Sequence, residues 1–145
     1  MKFIIAILFS STIFLAHTCN KKITVLNPEL KRLFGRWELI ETSGGFTGKF
    51  ITPKTSGHFE EIEFTMYGNY IKYETGNLSD KKKFNISEEK SIFNKNPVYI
   101  ISYSDADSSL TRLLIPQSVR FGGADTLYLN EECYDCFSHV YVRKK

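Results

Sequence analysis

Residues 33–46 have the sequence LFGRWELIETSGGF, which contains the only tryptophan of the chain, two residues after a glycine. Trp37 and Leu39 alternate with other residues, and this period of two predicts a β-strand over Arg36–Thr42. Gly35 precedes the strand, at a position that suits the positive φ a glycine adopts freely. The stretch therefore predicts a corner at which Gly35 turns the chain into the first strand and Trp37 is held at the end of a sheet.

A short amphipathic helix is predicted just before this corner. Asn27 is a suitable N-cap, and Pro28 fits the first helical position. Leu30, Leu33 and Phe34 follow with the spacing of one helical face. The tryptophan is therefore expected to lie between this helix and the sheet.

Beyond the corner, most segments alternate with a period of two and end at turn residues. The predicted strands are Arg36–Thr42, Phe59–Met66, Tyr70–Thr75, Lys83–Ser87, Val98–Ser104, Leu110–Ile115, Ser118–Phe121, Thr126–Asn130 and Phe137–Arg143. Short connections without intervening helices favour an all-β fold, an antiparallel up-and-down β-barrel of about eight strands, over a β-sandwich. The long connection Ser43–Gly57, with Phe46 among its glycines, is expected to lie over the open mouth of this barrel.

Residues 1–18 are typical of a signal peptide, because Lys2 precedes an apolar run from Phe3 to Ala16. A membrane-spanning helix needs about 20 apolar residues, so this run favours cleavage over a retained anchor helix. The chain has three cysteines, an odd number for an exported protein. Cleavage before Cys19 would make this cysteine the N-terminal residue, where it can be lipidated and anchor the protein to a membrane. Cys133 and Cys136 would then remain as a possible pair, which accounts for the odd number. Residues 19–26 are then a lipidated N-terminus and tether, and residues 27–145 form one domain.

The segment Leu15-Ala16-His17-Thr18-Cys19 resembles the lipobox of bacterial lipoproteins. Ala16 stands where leucine is usual, and Thr18 stands where glycine or alanine is usual. The resemblance implies a bacterial cell-envelope protein anchored in the outer membrane through its N-terminal lipid. Ordinary cleavage near the same point, which would release a soluble protein with a free thiol, is the alternative.

The Gly35-x-Trp37 step, the strand meander and a late strand that ends in Arg143 resemble the lipocalin pattern. In that pattern the arginine packs across the tryptophan at the closed end of the barrel, which implies structural roles for these three residues. With its lipoprotein start and its length, the chain resembles the small lipocalin-like lipoproteins of Bacteroidetes. The resemblance implies a β-barrel that binds a small apolar molecule.

Aromatic residues on shared strand faces are candidates for contact with such a molecule. Phe64 lies on one face of its strand, and Tyr99 and Tyr103 share a face of another. Aromatic residues on such strand faces line either a ligand cavity or a packed core. Arg112 is either a cation inside the barrel that holds a ligand carboxylate or an exposed arginine. Together with Phe46, these are the candidate ligand-binding residues.

Cys133-x-x-Cys136 is predicted to form a disulfide in a turn, with free thiols as the alternative. A redox motif is not expected, because a strand rather than a helix follows the pair. His139 would add only a third metal ligand, and a structural zinc site needs four. The sequence therefore predicts no metal and no cofactor.

Other function classes find little support in the sequence. His58 and His139 stand in no recognisable nucleophile or metalloprotease motif, and adjacent carboxylates such as Glu60 and Glu61 point to opposite faces of a strand. We therefore expect no enzyme activity. The formal net charge is +3 and the basic runs are short, which argues against a nucleic-acid partner.

The leading hypothesis is a cell-envelope lipoprotein whose barrel binds or carries a small hydrophobic molecule. The alternative is a non-enzymatic interaction module, in which a filled barrel displays loops to another envelope protein. An empty interior would favour the first hypothesis, and a solidly packed interior would favour the second.

Overall fold

The computed structural model describes residues 27–105 and 114–145. Within these residues the chain forms a 3-10 helix, a short α-helix and nine strands. The 3-10 helix is Pro28–Leu33 and helix α1 is Pro53–Ser56; the strands are β1 Gly35–Gly44, β2 Lys49–Ile51, β3 Glu60–Phe64, β4 Asn69–Glu74, β5 Asn77–Lys90, β6 Pro97–Asp105, β7 Gln117–Gly122, β8 Thr126–Glu131 and β9 Phe137–Arg143.

Eight of the strands form a closed antiparallel barrel. Each strand from β3 to β8 pairs with the next one along the chain, and β1 pairs with both β3 and β9. Strand β2 pairs only with the last residues of β1, from Thr42 to Gly44, and forms a hairpin at that end of the barrel. The predicted all-β, up-and-down barrel preceded by a short helix is therefore confirmed.

The predicted corner between helix and sheet is present. The Asn27 side chain accepts a hydrogen bond from the Glu29 amide, and Pro28 occupies the first turn, although the helix is of the 3-10 type. Leu33 is fully buried, and Gly35 has a φ of 123°. The chain thus turns directly from the helix into β1.

Trp37 and Arg143 close the end of the barrel beside the 3-10 helix. Trp37 is fully buried, and its Nε1 donates to the Leu33 carbonyl at 2.8 Å. The Arg143 guanidinium lies 4.1 Å from the centre of the Trp37 ring system and donates to the Phe34 carbonyl at 3.1 Å. A Cβ at Gly35 would come within 2.8 Å of Arg143 Nη1, so only glycine leaves room for this arginine.

The half of the barrel nearer this closed end is filled by apolar side chains. Phe64 lies at the centre, with its ring 5.4 Å from that of Tyr70 and 5.1 Å from that of Phe84. The buried apolar residues are Leu30, Leu33, Trp37, Leu39, Ile62, Phe64, Tyr70, Phe84, Ile100, Ile101, Leu127, Leu129 and Tyr141. Burial of this kind supplies most of the free energy of folding.

Three segments differ from the sequence-based prediction. Leu114 and Ile115 lie outside any strand, and β7 begins only after Pro116, which has no N–H for a ladder. The connection 43–57 is not wholly irregular, because it contains β2 and α1. Strand β5 begins at Asn77 rather than near Lys83. The signal peptide, the tether with Cys19, and Arg112 lie outside the described residues.

Candidate ligand-binding site

A cavity of about 530 Å³ opens at the end of the barrel opposite the 3-10 helix. Alternation along the strands directs its lining residues inward, because Glu60 shares a face of β3 with the buried Ile62 and Phe64. The lining residues are Glu60, Tyr70, Lys72, Glu74, Ser79, Asp80, Lys82, Leu114, Ile115, Gln117, Glu131, His139 and Tyr141. The cavity is therefore polar and charged, unlike the apolar cavity that we expected.

Lys72 joins two carboxylates on the wall formed by β3 and β4. Its Nζ lies 2.8 Å from Glu60 and 3.1 Å from Glu74. Burial disfavours the charged form of Lys72, but the contacts with Glu60 and Glu74 outweigh it and raise its pKa. The hydrogen bond from Lys72 also lowers the pKa of Glu74. Glu60 accepts a further hydrogen bond from the Tyr141 hydroxyl at 2.8 Å, which ties this wall to β9.

Lys82 forms the second paired cation of the cavity. Only 1% of this residue is exposed, and its Nζ lies 2.7 Å from Asp105 and 3.7 Å from Asp80. The hydrogen bond to Asp105 raises the Lys82 pKa, so the lysine stays charged. Its charge is thus already matched by carboxylates of the protein.

Glu131 and His139 form the opposite wall. The Glu131 carboxylate lies 3.7 Å from His139 Nε2 and accepts a hydrogen bond from the Phe137 amide at 3.0 Å. Burial lowers the His139 pKa, although Glu131 acts in the other direction, so the imidazole is neutral at neutral pH. Among the described residues, no lysine or arginine pairs with Glu131.

The cavity carries an excess of negative charge. Glu60, Glu74, Asp80 and Glu131 face two lysines, which gives a formal charge of −2 when His139 is neutral. Burial raises the pKa values of the Tyr70 and Tyr141 hydroxyls, and the nearby carboxylates raise them further. These hydroxyls are therefore neutral hydrogen-bonding groups.

The Tyr70 hydroxyl has no hydrogen-bond partner within the described parts of the chain. The residue is 6% exposed and lines the cavity. Its ring is fixed by edge contact with Tyr103, whose ring centre is 5.0 Å away. Because Tyr70 lines the cavity, its unpartnered hydroxyl is available to a bound molecule.

A smaller apolar chamber of about 290 Å³ lies beside the main cavity and is open to solvent, because the Ile51 and Phe137 side chains in its walls are exposed. Its walls are β1, β2, β9 and helix α1, and it shares His139 with the main cavity. A capping box between Thr52 and Thr55 fixes α1 in place. The chamber is lined by Leu39, Thr42, Ile51, Thr52, Pro53, Ser56, His58, Phe137 and His139, and almost all of its surface is apolar.

The candidate ligand-binding aromatics lie elsewhere. Phe46 is 95% exposed in the connection between β1 and β2, and Phe64 is 1% exposed in the packed half of the barrel. The Tyr99 hydroxyl accepts from Asn27 Nδ2, beside the 3-10 helix. Tyr103 comes nearest, because its hydroxyl donates to the cavity residue Gln117 at 2.6 Å. The structure does not bring these four residues together around either chamber.

Charged residues form the cavity instead, and the sequence analysis missed them. Strand alternation in the sequence could have identified them, because Lys72 and Glu74 share a face of β4 with the buried Tyr70. A charged residue in phase with a core position points into the barrel.

The predicted disulfide between Cys133 and Cys136 is confirmed. It lies in the connection between β8 and β9, with a Cα–Cα distance of 5.6 Å. The Cys136 carbonyl accepts from the Gly45 amide at 3.1 Å, so this turn is tied to the β1–β2 hairpin. The two hairpins at the mouth therefore support each other.

Within residues 27–105 and 114–145, two groups of side chains have the composition of metal ligands. His58, Glu60 and Glu74 lie together, but Lys72 already places a cation between the two carboxylates. The second group contains Cys133 and Cys136, which are consumed by their disulfide. Neither group presents free ligands to an ion.

Thr42 and His139 form a contact that resembles a nucleophile with its base. The Thr42 hydroxyl lies 3.0 Å from His139 Nδ1. Thr42 pairs with Ile51 on one side and with His139 on the other, in strands whose amides serve the ladder. Acyl transfer also requires free donors for an oxyanion, and Thr42 itself lies between two paired strands. The pair is therefore better suited to contacting a ligand.

Comparison with known proteins finds no matching family model, no matching curated protein and no matching solved structure. None of the helices in the described parts of the chain has the length and apolar character needed to cross a membrane. The function is therefore inferred from the residues of this chain.

Proposed function

We propose that the protein is a non-enzymatic cell-envelope lipoprotein whose lipocalin-like barrel binds a small amphipathic molecule. The observation that carries the proposal is that an apolar chamber and a charged cavity meet at His139 in the open end of a barrel whose other end is packed. The hydrophobic part of the ligand occupies the apolar chamber. Its polar part lies in the main cavity, where charged groups would otherwise exclude a wholly apolar molecule.

The closed end supports the lipocalin-like assignment. Arg143 stacks on Trp37 across the seam between β1 and β9, and Gly35 leaves the space for it. This is the arrangement that the resemblance implied. It makes one end of the barrel a rigid base and leaves the other end for a ligand.

Export and lipidation are supported by the cysteines. A disulfide in a small domain is typical of an oxidising compartment, and the Cys133–Cys136 pair accounts for two of the three cysteines. Cys19 then remains for lipidation after removal of residues 1–18. The barrel is anchored by this lipid at the bacterial outer membrane.

Two exposed aromatics support a second candidate function, the display of loops to another envelope protein. Phe46 is 95% exposed and Phe50 is 72% exposed, and both belong to the β1–β2 hairpin. Exposed aromatics are common at protein interfaces. In this alternative, Phe46→Ser with Phe50→Ser abolishes co-purification of the partner and leaves small-molecule binding unchanged.

Blocking the apolar chamber tests the binding function. Ser56 lines the chamber, whereas Lys54 lies on the same helix and does not. We expect 1-octanol, measured by isothermal titration calorimetry, to bind the wild type and the Lys54→Trp variant but not Ser56→Trp, because a tryptophan at position 56 fills the chamber. If the wild type binds none of 1-octanol, octylamine and octanoate, or if both variants bind a probe equally, the proposal is contradicted.

A further inference from the structure

We propose that the polar part of the ligand is a cation, so that the ligand is an amphipathic amine. This inference rests on the proposed binding function and names the chemical class of the ligand. Its first support is the charge of the cavity, whose lining includes four carboxylates and two lysines. An ammonium group reduces this imbalance, and a ligand carboxylate increases it.

Glu131 is the cavity carboxylate that contacts the ammonium group of the ligand. Its side chain is 19% exposed. The titratable side chain nearest to it is His139, at 3.7 Å, and this imidazole is neutral at neutral pH. The Phe137 amide satisfies one of its oxygens. A partly buried carboxylate without a cation forms strong, charge-assisted hydrogen bonds with an ammonium group.

Tyr70 supplies an independent observation. Its hydroxyl lacks a partner among the described residues, and the residue is more than nine-tenths buried while lining the cavity. Glu60, Asp80 and Glu74 all act on this hydroxyl electrostatically. A group that binds here meets a neutral oxygen surrounded by negative charge, which favours an N–H donor that carries positive charge.

The two lysines do not offer an anion site. Lys72 already contacts Glu60 and Glu74, and Lys82 contacts Asp80 and Asp105. An anionic ligand would have to replace one of these contacts and leave a protein carboxylate unpaired inside the barrel. A neutral ligand would leave Glu131 without a cation.

The hydrocarbon part of the amine fits the apolar chamber. His139 lies between the two chambers and is neutral, so it does not repel an ammonium group. A primary or secondary amine with a hydrocarbon tail places its N–H donors towards Glu131 and Tyr70. Its tail then lies against Leu39, Ile51 and Phe137.

Three probes of equal chain length separate the charge of the ligand from its hydrocarbon tail. Octylamine is a cation, octanoate is an anion and 1-octanol is neutral at neutral pH. We expect calorimetry to show that octylamine binds the full domain at least about tenfold more tightly than the other two. Equal or tighter binding of octanol or octanoate overturns the cation inference and leaves the proposed function standing. No binding of any probe overturns both.

Substitution of Glu131 locates the site. Glu131→Gln removes the charge and keeps an oxygen for the Phe137 amide, so the fold is expected to persist. It should weaken octylamine binding about tenfold and leave octanol binding unchanged. Glu38 is an exposed carboxylate of β1 outside both chambers, and Glu38→Gln is the matched control, with no change. Equal octylamine affinity in the Glu131 variant and this control overturns the assignment.

Discussion

Removal of either member of the Arg143–Trp37 stack should destabilise the barrel, and the two losses should not be additive. Trp37 is fully buried, so Trp37→Ala is expected to cost about 3–5 kcal/mol of unfolding free energy. Arg143 contributes its stacking on the indole, about 0.5–1 kcal/mol, and hydrogen bonds to the Phe34 and Arg32 carbonyls, about 1–2 kcal/mol together. Arg143→Ala should therefore cost about 2 kcal/mol.

A double-mutant cycle measures the interaction itself. Urea unfolding is followed by far-UV circular dichroism, because the signal must not depend on the tryptophan. We expect the double variant to be about 1 kcal/mol more stable than the sum of the single losses predicts, since the stack is lost only once. Additive losses would refute the reasoning, and so would a cost below about 1 kcal/mol for Trp37→Ala.

Arg120 provides a matched control for this cycle. Its guanidinium lies 3.8 Å from the centre of the Tyr128 ring, but the residue is exposed on the outside of the barrel. Arg120→Ala should change the unfolding free energy by no more than about 0.5 kcal/mol. A loss as large as that of Arg143→Ala would show that stacking alone, and not the closed-end position, sets the cost.

Three further predictions follow from other features. Gly35→Ala should cost about 2 kcal/mol in urea unfolding, because it combines a φ of 123° with a contact of 2.8 Å to Arg143; an unchanged midpoint would contradict this. The unfolding free energy should fall as the pH drops below about 6.5, because burial lowers the His139 pKa and the unfolded chain then binds more protons. His139→Gln should reduce this loss when wild type and variant are compared at about pH 7.5 and about pH 5.5. Cys19→Ala should move the protein from the detergent phase to the aqueous phase, and a wild type that already partitions as soluble would exclude the lipid anchor.

Periodicity predicted the fold because each barrel strand has one side facing the core. The strand at Trp37 and Leu39 shows this plainly, since both residues are buried and Glu38 between them is exposed. A tight turn at Gly68 joins β3 to β4, with the Thr65 amide donating to the Asn69 carbonyl at 2.9 Å. Local alternation and turn chemistry therefore suffice for the order of most strands.

The cavity was harder to predict because its contacts are distant in sequence. Glu60 meets Lys72 on the neighbouring strand and Tyr141 from the other side of β1, 81 residues away. Lys82 stands in a lysine run that suggests a solvated surface, yet it is buried against Asp105. Alternation shows which face a side chain occupies, but only the closed barrel shows which partners that face contains.

The pairing of β1 with β9 has a consequence for the folding of the chain. These strands are the first and the last of the barrel, so synthesis or export of nearly the whole domain precedes closure. Until then, β1 and β8 each present an unpaired edge that can pair with another chain. A topology that depends on such distant contacts folds slowly, on a timescale of about milliseconds to seconds. Chains truncated before β9 should consequently aggregate, and a chaperone that covers these edges during export would protect the protein.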